Sequence, residues 1–314
     1  MFAHKLETIF LLSALLLSFL HFCLSVLGIL FLRTSSVHSE IIHQKLYLNG
    51  DSRSQPHDEA MSPWQLFLSN QYFMALPLAL IGITLLFSLI SRGFYVGRFP
   101  CSNLYESLIF FACALAFVAT FIQFKYKLSS LNWPACLIVM AMLVYAVWLP
   151  SSQKEATPLL PALDSYWRAI HVPALLLSYT FLLVSGFCSG FYLFRFYSKA
   201  HSIKDNQKEN QLGFLSELVY RCTSAGFALL TFGIVTGALW ANHSWGNLWQ
   251  WDPKENLALM TWFCYGAYLH LRLSNKVNGV TLAWLNALGV LAIYMTYIGI
   301  NQFDLGGLHT YGKV

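Results

Sequence analysis

Eight long apolar runs restrict this chain more than any other feature of its sequence. A membrane-spanning helix needs about 20 apolar residues. Since lipid offers no hydrogen-bond partner to the backbone, each run must form a helix. Only 11% of the 314 residues are charged and 57% are hydrophobic, so the sequence predicts an all-α, polytopic membrane helix bundle. The runs lie at residues 8–32, 72–91, 104–124, 131–149, 168–197, 222–242, 257–274 and 281–301.

The polar segment 33–71 separates the first apolar run from the other seven. It contains Pro, Asp and Ser, as is typical of an exposed loop. We therefore expect residues 1–71 to form one span and a polar loop, and residues 72–314 to form the functional membrane core. The first apolar run is longer than the apolar core of a signal peptide, so no cleavable targeting segment is predicted.

Eight spans would place both termini on the same membrane face. Most of the 19 Lys and Arg residues fall in loops that would then lie on the opposite face. Since basic loops stay on the cytoplasmic side, this pattern predicts both termini on the outer, or lumenal, face. The same alternation places the start of span five, the connection between spans six and seven and the C-terminal tail on that face.

Composition excludes several classes of function. The seven cysteines form no CxxC or CxxCH, which argues against a zinc site, a thiol–disulfide reductase and a c-type cytochrome. We interpret them as small apolar packing residues. The net charge is only +5, and in a membrane protein the position of basic residues matters more than their sum. No nucleic-acid binding is predicted.

The connection between spans six and seven is rich in tryptophan and reads WGNLWQWDPKEN over residues 245–256. Anchoring at a membrane interface explains one or two tryptophans. Several indoles at a helix entrance would instead offer a broad, flat, apolar surface to a large planar ligand. Four of the ten tryptophans in the chain lie here: Trp240, Trp245, Trp249 and Trp251.

Polar residues after the tryptophans predict a helix start. Asp252 as N-cap, Pro253 at the first position and Glu255 at the third would form a capping box that opens span seven. Asn103 and Glu106 have the same spacing before span three. The caps would set the angle of the tryptophan segment.

Haem is a large planar ligand whose iron accepts imidazole as an axial ligand. His171, at the start of span five, and His309, in the tail, share the predicted face of the tryptophan segment. Each could therefore reach the iron from one side of a porphyrin that lies on the tryptophans. Lys254 could pair with a propionate, and a solvated lysine is an equal alternative.

The segment WGNLWQWDPKEN resembles the WGxxWxWDxKE signature, the WWD domain of the haem-handling proteins of cytochrome c assembly. A second stretch, FPCSNLYESLIFF over residues 99–111, is similar to one typical of the plastid and bacterial system II branch. The resemblance implies that His171 and His309 are axial ligands of an external haem. It also implies that His270, in the span after the WWD segment at 240–256, marks a second haem position.

The resemblance carries further expectations. The cargo would be haem b, held transiently and without a covalent bond, with its vinyl groups presented to the reduced CxxCH of apocytochrome c or f. The protein would act as a subunit of a cytochrome c haem lyase beside a Ccs1/CcsB-type membrane protein, helped by thiol-reducing proteins. A multi-pass protein of the chloroplast thylakoid membrane is implied, with a bacterial inner membrane as the alternative.

Several alternatives stay open. His270 lies near a helix end, where a histidine also favours the helix dipole. His21, in the first span, is estimated to lie at the depth of His270 and could share an intramembrane ligand with it, whereas His243 is expected to pack or hydrogen-bond. A b-type electron carrier and a membrane transporter or channel are the rival functions.

Overall fold

The computed structural model describes residues 2–48, 71–155, 158–159, 161, 163–198 and 205–300. These residues contain helices and connections but no strand, which confirms the all-α prediction. The helices are α1 (Phe2–Leu48), α2 (Gln71–Val96), α3 (Leu104–Tyr126), α4 (Asn132–Trp148), α5 (Ser151–Lys154), α6 (Tyr166–Tyr197), α7 (Asp205–Trp245), α8 (Pro253–Ser274) and α9 (Gly279–Tyr294), which a π-helical turn (Met295–Gly299) extends.

All eight predicted spans fall on helices, and six of these helices are long and apolar enough to cross a membrane. Helix α4 is apolar but has only 17 residues, or about 26 Å at 1.5 Å per residue. Helix α8 is outside the six because it carries more polar residues, among them Lys254, Glu255 and Arg272. The prediction of a polytopic helical bundle is therefore confirmed.

Helix α1 is longer than the first predicted span. It continues from the expected end at residue 32 to Leu48, into the segment predicted as a polar loop. The added residues contain Glu, Gln, Lys and Leu and no Gly or Pro before Gly50, so nothing local ends the helix earlier. The rest of the predicted loop, 49–70, lies outside the described residues.

Contacts between helix ends show that neighbouring helices run in opposite directions. Arg92, near the end of α2, lies 3.5 Å from Glu7 near the start of α1 and 3.0 Å from Glu106 near the start of α3. The hydroxyls of Ser107 on α3 and Tyr297 after α9 are 2.9 Å apart. We call this end of the bundle, which also holds the tryptophan segment, the tryptophan end.

The opposite end of the bundle collects the other helix ends. Glu217, in the first part of α7, is 2.8 Å from Arg221 and 3.9 Å from Arg272 in the last turn of α8. The tryptophan end, by contrast, holds the starts of α1, α3 and α6 and the turn after α9. This arrangement agrees with the predicted alternation of eight spans.

A buried ion cluster joins α1, α2 and α3 at the tryptophan end. The carboxylates of Glu7 and Glu106 flank the guanidinium of Arg92, and all three side chains are almost fully buried. Arg98 adds a second ion pair to Glu106 at 3.1 Å, and the hydroxyl of Tyr105 donates to Glu7 at 2.8 Å. Charges of opposite sign therefore compensate one another inside this cluster.

The cap predicted for α3 forms within this cluster. The side chain of Asn103 accepts from the backbone N–H of Glu106 at 2.8 Å. The carboxylate of Glu106 accepts from the backbone N–H of Ser102, also at 2.8 Å, one residue earlier than a standard capping box would place it. Glu106 thus orders the 97–103 loop as well as the helix start.

We predict that Glu106→Ala strongly destabilises the bundle. It removes one of the two carboxylates that flank the buried Arg92 and the one carboxylate paired with the half-buried Arg98, and breaking a buried ion pair costs about 3–5 kcal/mol of the free energy of unfolding. Thermal unfolding of the purified protein in detergent should show a clearly lower midpoint. Glu217→Ala, which removes a carboxylate from an exposed ion pair, is the control and should leave the midpoint nearly unchanged. Equal losses in both variants would contradict the prediction.

Candidate functional site

The tryptophan segment is a structured connection between α7 and α8. Helix α7 ends at Trp245, Gly246 follows with a φ of 77°, and α8 begins at Pro253. Trp251 adopts a φ of 58°, which side-chain-bearing residues rarely adopt. These two residues, each in the left-handed backbone conformation, let the chain reverse its direction between α7 and α8.

The capping box predicted for α8 is confirmed. The Asp252 carboxylate accepts from the backbone N–H of Lys254 at 3.1 Å, and Glu255 accepts from the backbone N–H of Asp252 at 3.2 Å. Glu255 also accepts from the backbone N–H of Gln250 at 2.9 Å. The two acidic residues therefore fix the connection to the first turn of α8, and through it the position of the last two tryptophans.

The four tryptophans form two pairs and no single plane. Trp240 and Trp245 are stacked, with ring centroids 6.4 Å apart and an interplanar angle of 30°. Trp249 and Trp251 meet edge to face, at 6.1 Å and 86°. Trp240 is 4% exposed and Trp251 is 70% exposed. The segment thus offers a buried stacked wall and a separate protruding indole, where the sequence suggested one flat surface.

His171 lies on α6 against Trp240. We call Trp240 and Trp245 the inner tryptophan pair. The His171 ring is 5.6 Å from that of Trp240, and its Nδ1 lies 2.7 Å from the carbonyl oxygen of Gly233 on α7. Since a carbonyl can only accept, Nδ1 carries the hydrogen, and the lone pair of a neutral ring is on Nε2. A histidine fixed in this way by a backbone carbonyl is the usual form of a metal ligand.

Two glycines of α7 make this position of His171 possible, and the sequence reasoning did not single them out. A Cβ on Gly237 would lie 2.5 Å from Cε1 of His171, and one on Gly233 would lie 2.4 Å from a methyl carbon of Leu175. Both glycines therefore allow α6 and α7 to approach closely. The available signal was the pair of glycines one turn apart in GIVTG, before the tryptophan segment.

His309 lies outside the described residues, so its pairing with His171 stays a prediction. His270 is exposed near the C-terminal end of α8, toward the end of the bundle opposite His171. The structure therefore separates His171 and His270 by most of the length of a span, as expected for two distinct positions.

An apolar groove of about 540 Å³ follows the outer face of α8 from Trp251 to Ala267, and Leu285 of α9 forms one side. The groove is open to the outside of the bundle along this face. Phe263, Ala267 and His270 share one face of α8, because residues three and four apart lie above one another on a helix. The groove thus leads from the tryptophan segment toward His270.

Two other histidines are placed away from these positions. His21 is 3% exposed, and its Nε2 has no hydrogen-bond partner in the described part of the chain. It faces α4, since the thiol of Cys136 donates to the carbonyl of Ser18 one turn earlier. A shared ligand between His21 and the exposed His270 is therefore not formed within this chain. His243 packs against Tyr166, with ring centroids 6.4 Å apart.

Residues 101–307 match the family of cytochrome c assembly proteins. This range begins in the 97–103 loop, includes α6, the tryptophan segment and α8, and ends two residues before His309. It covers more than half of the chain.

Individual relatives agree with the family match. The cytochrome c biogenesis protein CcsA of Guillardia theta is 38% identical over 255 residues, covering 75% of this chain and 83% of the relative. CcsA of Chlamydomonas reinhardtii is 37% identical over 76% of this chain and 69% of the relative. CcsA of Prochlorococcus marinus is 35% identical over 78% of this chain and 85% of the relative. The chain therefore belongs to the cytochrome c assembly protein family and has a role in cytochrome c biogenesis.

Proposed function

We propose that this protein holds haem b at the tryptophan end and presents its vinyl groups to the reduced CxxCH of an apocytochrome c or f. The observation that carries the proposal is the hydrogen bond from His171 Nδ1 to the Gly233 carbonyl, beside the stacked pair Trp240 and Trp245. It orients an imidazole next to an aromatic wall. Haem iron needs an imidazole as a ligand, and a porphyrin face packs on an aromatic surface.

The residues of this chain have separate tasks in that reaction. His171 binds the iron from one side, and His309 of the tail binds it from the other. Trp240 and Trp245 pack against the ring, while Asp252 and Glu255 hold the connection that carries Trp249 and Trp251. Each cysteine S–H then adds across a vinyl double bond, so that sulfur bonds to one carbon and the proton goes to the other. The addition consumes no electrons, and the gain from the protein is proximity and orientation.

His270 fits a second position for the same cargo. It is exposed on α8 at the end of the apolar groove, which suits a planar apolar molecule that enters from the membrane. As an exposed histidine on a membrane helix, it would need a second ligand from outside this chain. We propose that a Ccs1/CcsB-type membrane protein supplies that surface and that the two proteins act together as a haem lyase.

The excess of basic residues in the loops at the opposite end supports the proposal that the tryptophan end lies on the outer, or lumenal, face. The algal and cyanobacterial relatives point to the thylakoid membrane of a plastid. Thiol-reducing proteins on the same face would keep the CxxCH reduced. The rival interpretation as an electron carrier rested on a possible pairing of His21 with His270, and the burial of His21 against α4 and the exposure of His270 on α8 do not favour it.

We predict that His171→Ala and His309→Ala each abolish the low-spin b-type spectrum of the reduced, purified protein. Each removes one axial ligand, and added imidazole should restore the spectrum because it occupies the vacated position. His243→Ala is the control and should retain haem. A protein that carries no haem, even when co-expressed with its partner, would contradict the proposed function.

We also predict that Gly237→Ala lowers haem binding without unfolding the bundle. The added methyl group would meet the His171 ring at 2.5 Å, so the ring must move away from its position. Gly190→Ala is a matched control, because a Cβ at this glycine of α6 meets nothing within 4 Å. Haem content per protein and the elution profile in detergent measure both effects. Unchanged haem content in Gly237→Ala would show that the position of His171 is not critical.

A further inference from the structure

Three arginine side chains lie buried or half-buried at the tryptophan end, and they differ in what balances their charge. Arg92 has the carboxylates of Glu7 and Glu106 within 3.5 Å, and Arg98 has that of Glu106 at 3.1 Å. Arg168, at the start of α6, is 5% exposed and has no carboxylate within 4 Å among the residues that the structure describes. Buried arginines are rare unless they are paired.

The guanidinium of Arg168 is held by neutral acceptors. Its Nε donates to the carbonyl of Leu163 at 2.8 Å, and its Nη1 donates to the carbonyl of Phe99 at 3.2 Å and to the hydroxyl of Ser102 at 2.6 Å. Nη1 also lies 3.5 Å from the Cys101 sulfur, and burial raises the pKa of that thiol to about 12, so it stays neutral. These contacts satisfy hydrogen atoms but supply no negative charge.

One side of the guanidinium is left for a ligand. No described residue accepts a hydrogen bond from Nη2, which carries two N–H groups. A buried cation without a counter-charge costs free energy, and a carboxylate that accepts from these groups would offset that cost. The arrangement therefore favours an anionic group.

Arg168 is also next to the proposed iron ligand. It precedes His171 by three residues on α6, and side chains with this spacing are neighbours, with Cβ atoms about 5–6 Å apart. The propionates of haem b leave one edge of the ring, and the vinyl groups lie on other edges. An anchor for a propionate beside His171 would consequently decide which way the vinyl groups point.

We propose that Arg168 binds a propionate carboxylate of the haem held by His171, through the two N–H groups of Nη2. This inference rests on the proposed function and adds the residue that fixes the rotation of the haem ring within the site. Arg168 is a positioning residue for the vinyl groups, and it acts before any apocytochrome binds.

Lys254 is the competing cation of the site, and its surroundings fit this task less well. It is half-buried in the first turn of α8, two residues after the capping residue Asp252. The negative charge of Asp252 already acts on the Lys254 ammonium, and it would repel a propionate. Arg168 has no carboxylate within 4 Å among the described residues.

The test compares two ligands, iron protoporphyrin IX and its dimethyl ester, in which both propionates are uncharged. Absorption titrations of the full-length protein in detergent give the affinity for each. We expect the wild type to bind the free acid about ten- to a hundredfold more tightly than the ester, the value of one or two charge-assisted hydrogen bonds. Arg168→Gln should lose most of this preference by weakening the acid alone, and Arg168→Lys should keep part of it.

Two controls separate the proposal from a structural role. Arg98→Gln disturbs the same 97–103 loop through Ser102 and Glu106 but should keep the preference for the acid. Iron ligation is an independent readout of the site. The low-spin spectrum of Arg168→Gln saturated with haem should match that of the wild type.

Several outcomes would overturn the inference while the proposed function stands. These are a wild type without preference for the acid, an equal loss of affinity for both ligands in Arg168→Gln, or a loss of preference in Lys254→Gln instead. If Arg168→Gln does not fold, the preference of the wild type for the acid and the behaviour of Arg168→Lys still test the inference. A wild type that binds neither porphyrin would refute the proposed function itself.

Discussion

The close packing of α6 on α7 is the constraint on which the rest of the site depends. Glycines at 226, 233 and 237 of α7 face Leu182, Leu175 and His171 of α6, and a Cβ at any of them would overlap with its partner. The approach brings the carbonyl of Gly233 within hydrogen-bond distance of the His171 ring. One packing interface thus sets the distance between two helices and the orientation of a candidate metal ligand.

Buried charge at the tryptophan end has two different roles. Glu7, Arg92, Glu106 and Arg98 compensate one another and join three helices in the interior of the bundle, where an unpaired buried charge is costly. Arg168 lies near them, yet it is held by carbonyls and a hydroxyl. The same chemical group therefore serves as a structural tie in one place and, in our proposal, as a receptor for cargo in another.

The two histidine positions at opposite ends of the bundle suggest how a large, poorly soluble cargo could be handled without release into water. A groove lined by apolar side chains of α8 extends from Trp251 toward His270, and His171 lies behind the inner tryptophan pair. The groove opens to the outside of the bundle, where a partner protein or lipid can cover it. The groove itself is formed mainly by the end of the tryptophan segment and by α8.

The sequence by itself determined the elements of this protein. Apolar length predicted the helices, alternation predicted which ends meet, and the spacing of Asp252, Pro253 and Glu255 predicted the start of α8, because these signals are local. The tertiary structure alone decided the pairwise arrangement of the tryptophans, the exposure of His270 and the burial of His21. It also revealed that His171 needs a glycine at position 237 beside it and that Arg168 has no carboxylate partner among the described residues. These features depend on which side chains of distant segments come into contact, and the spacing of residues along one chain does not specify such contacts.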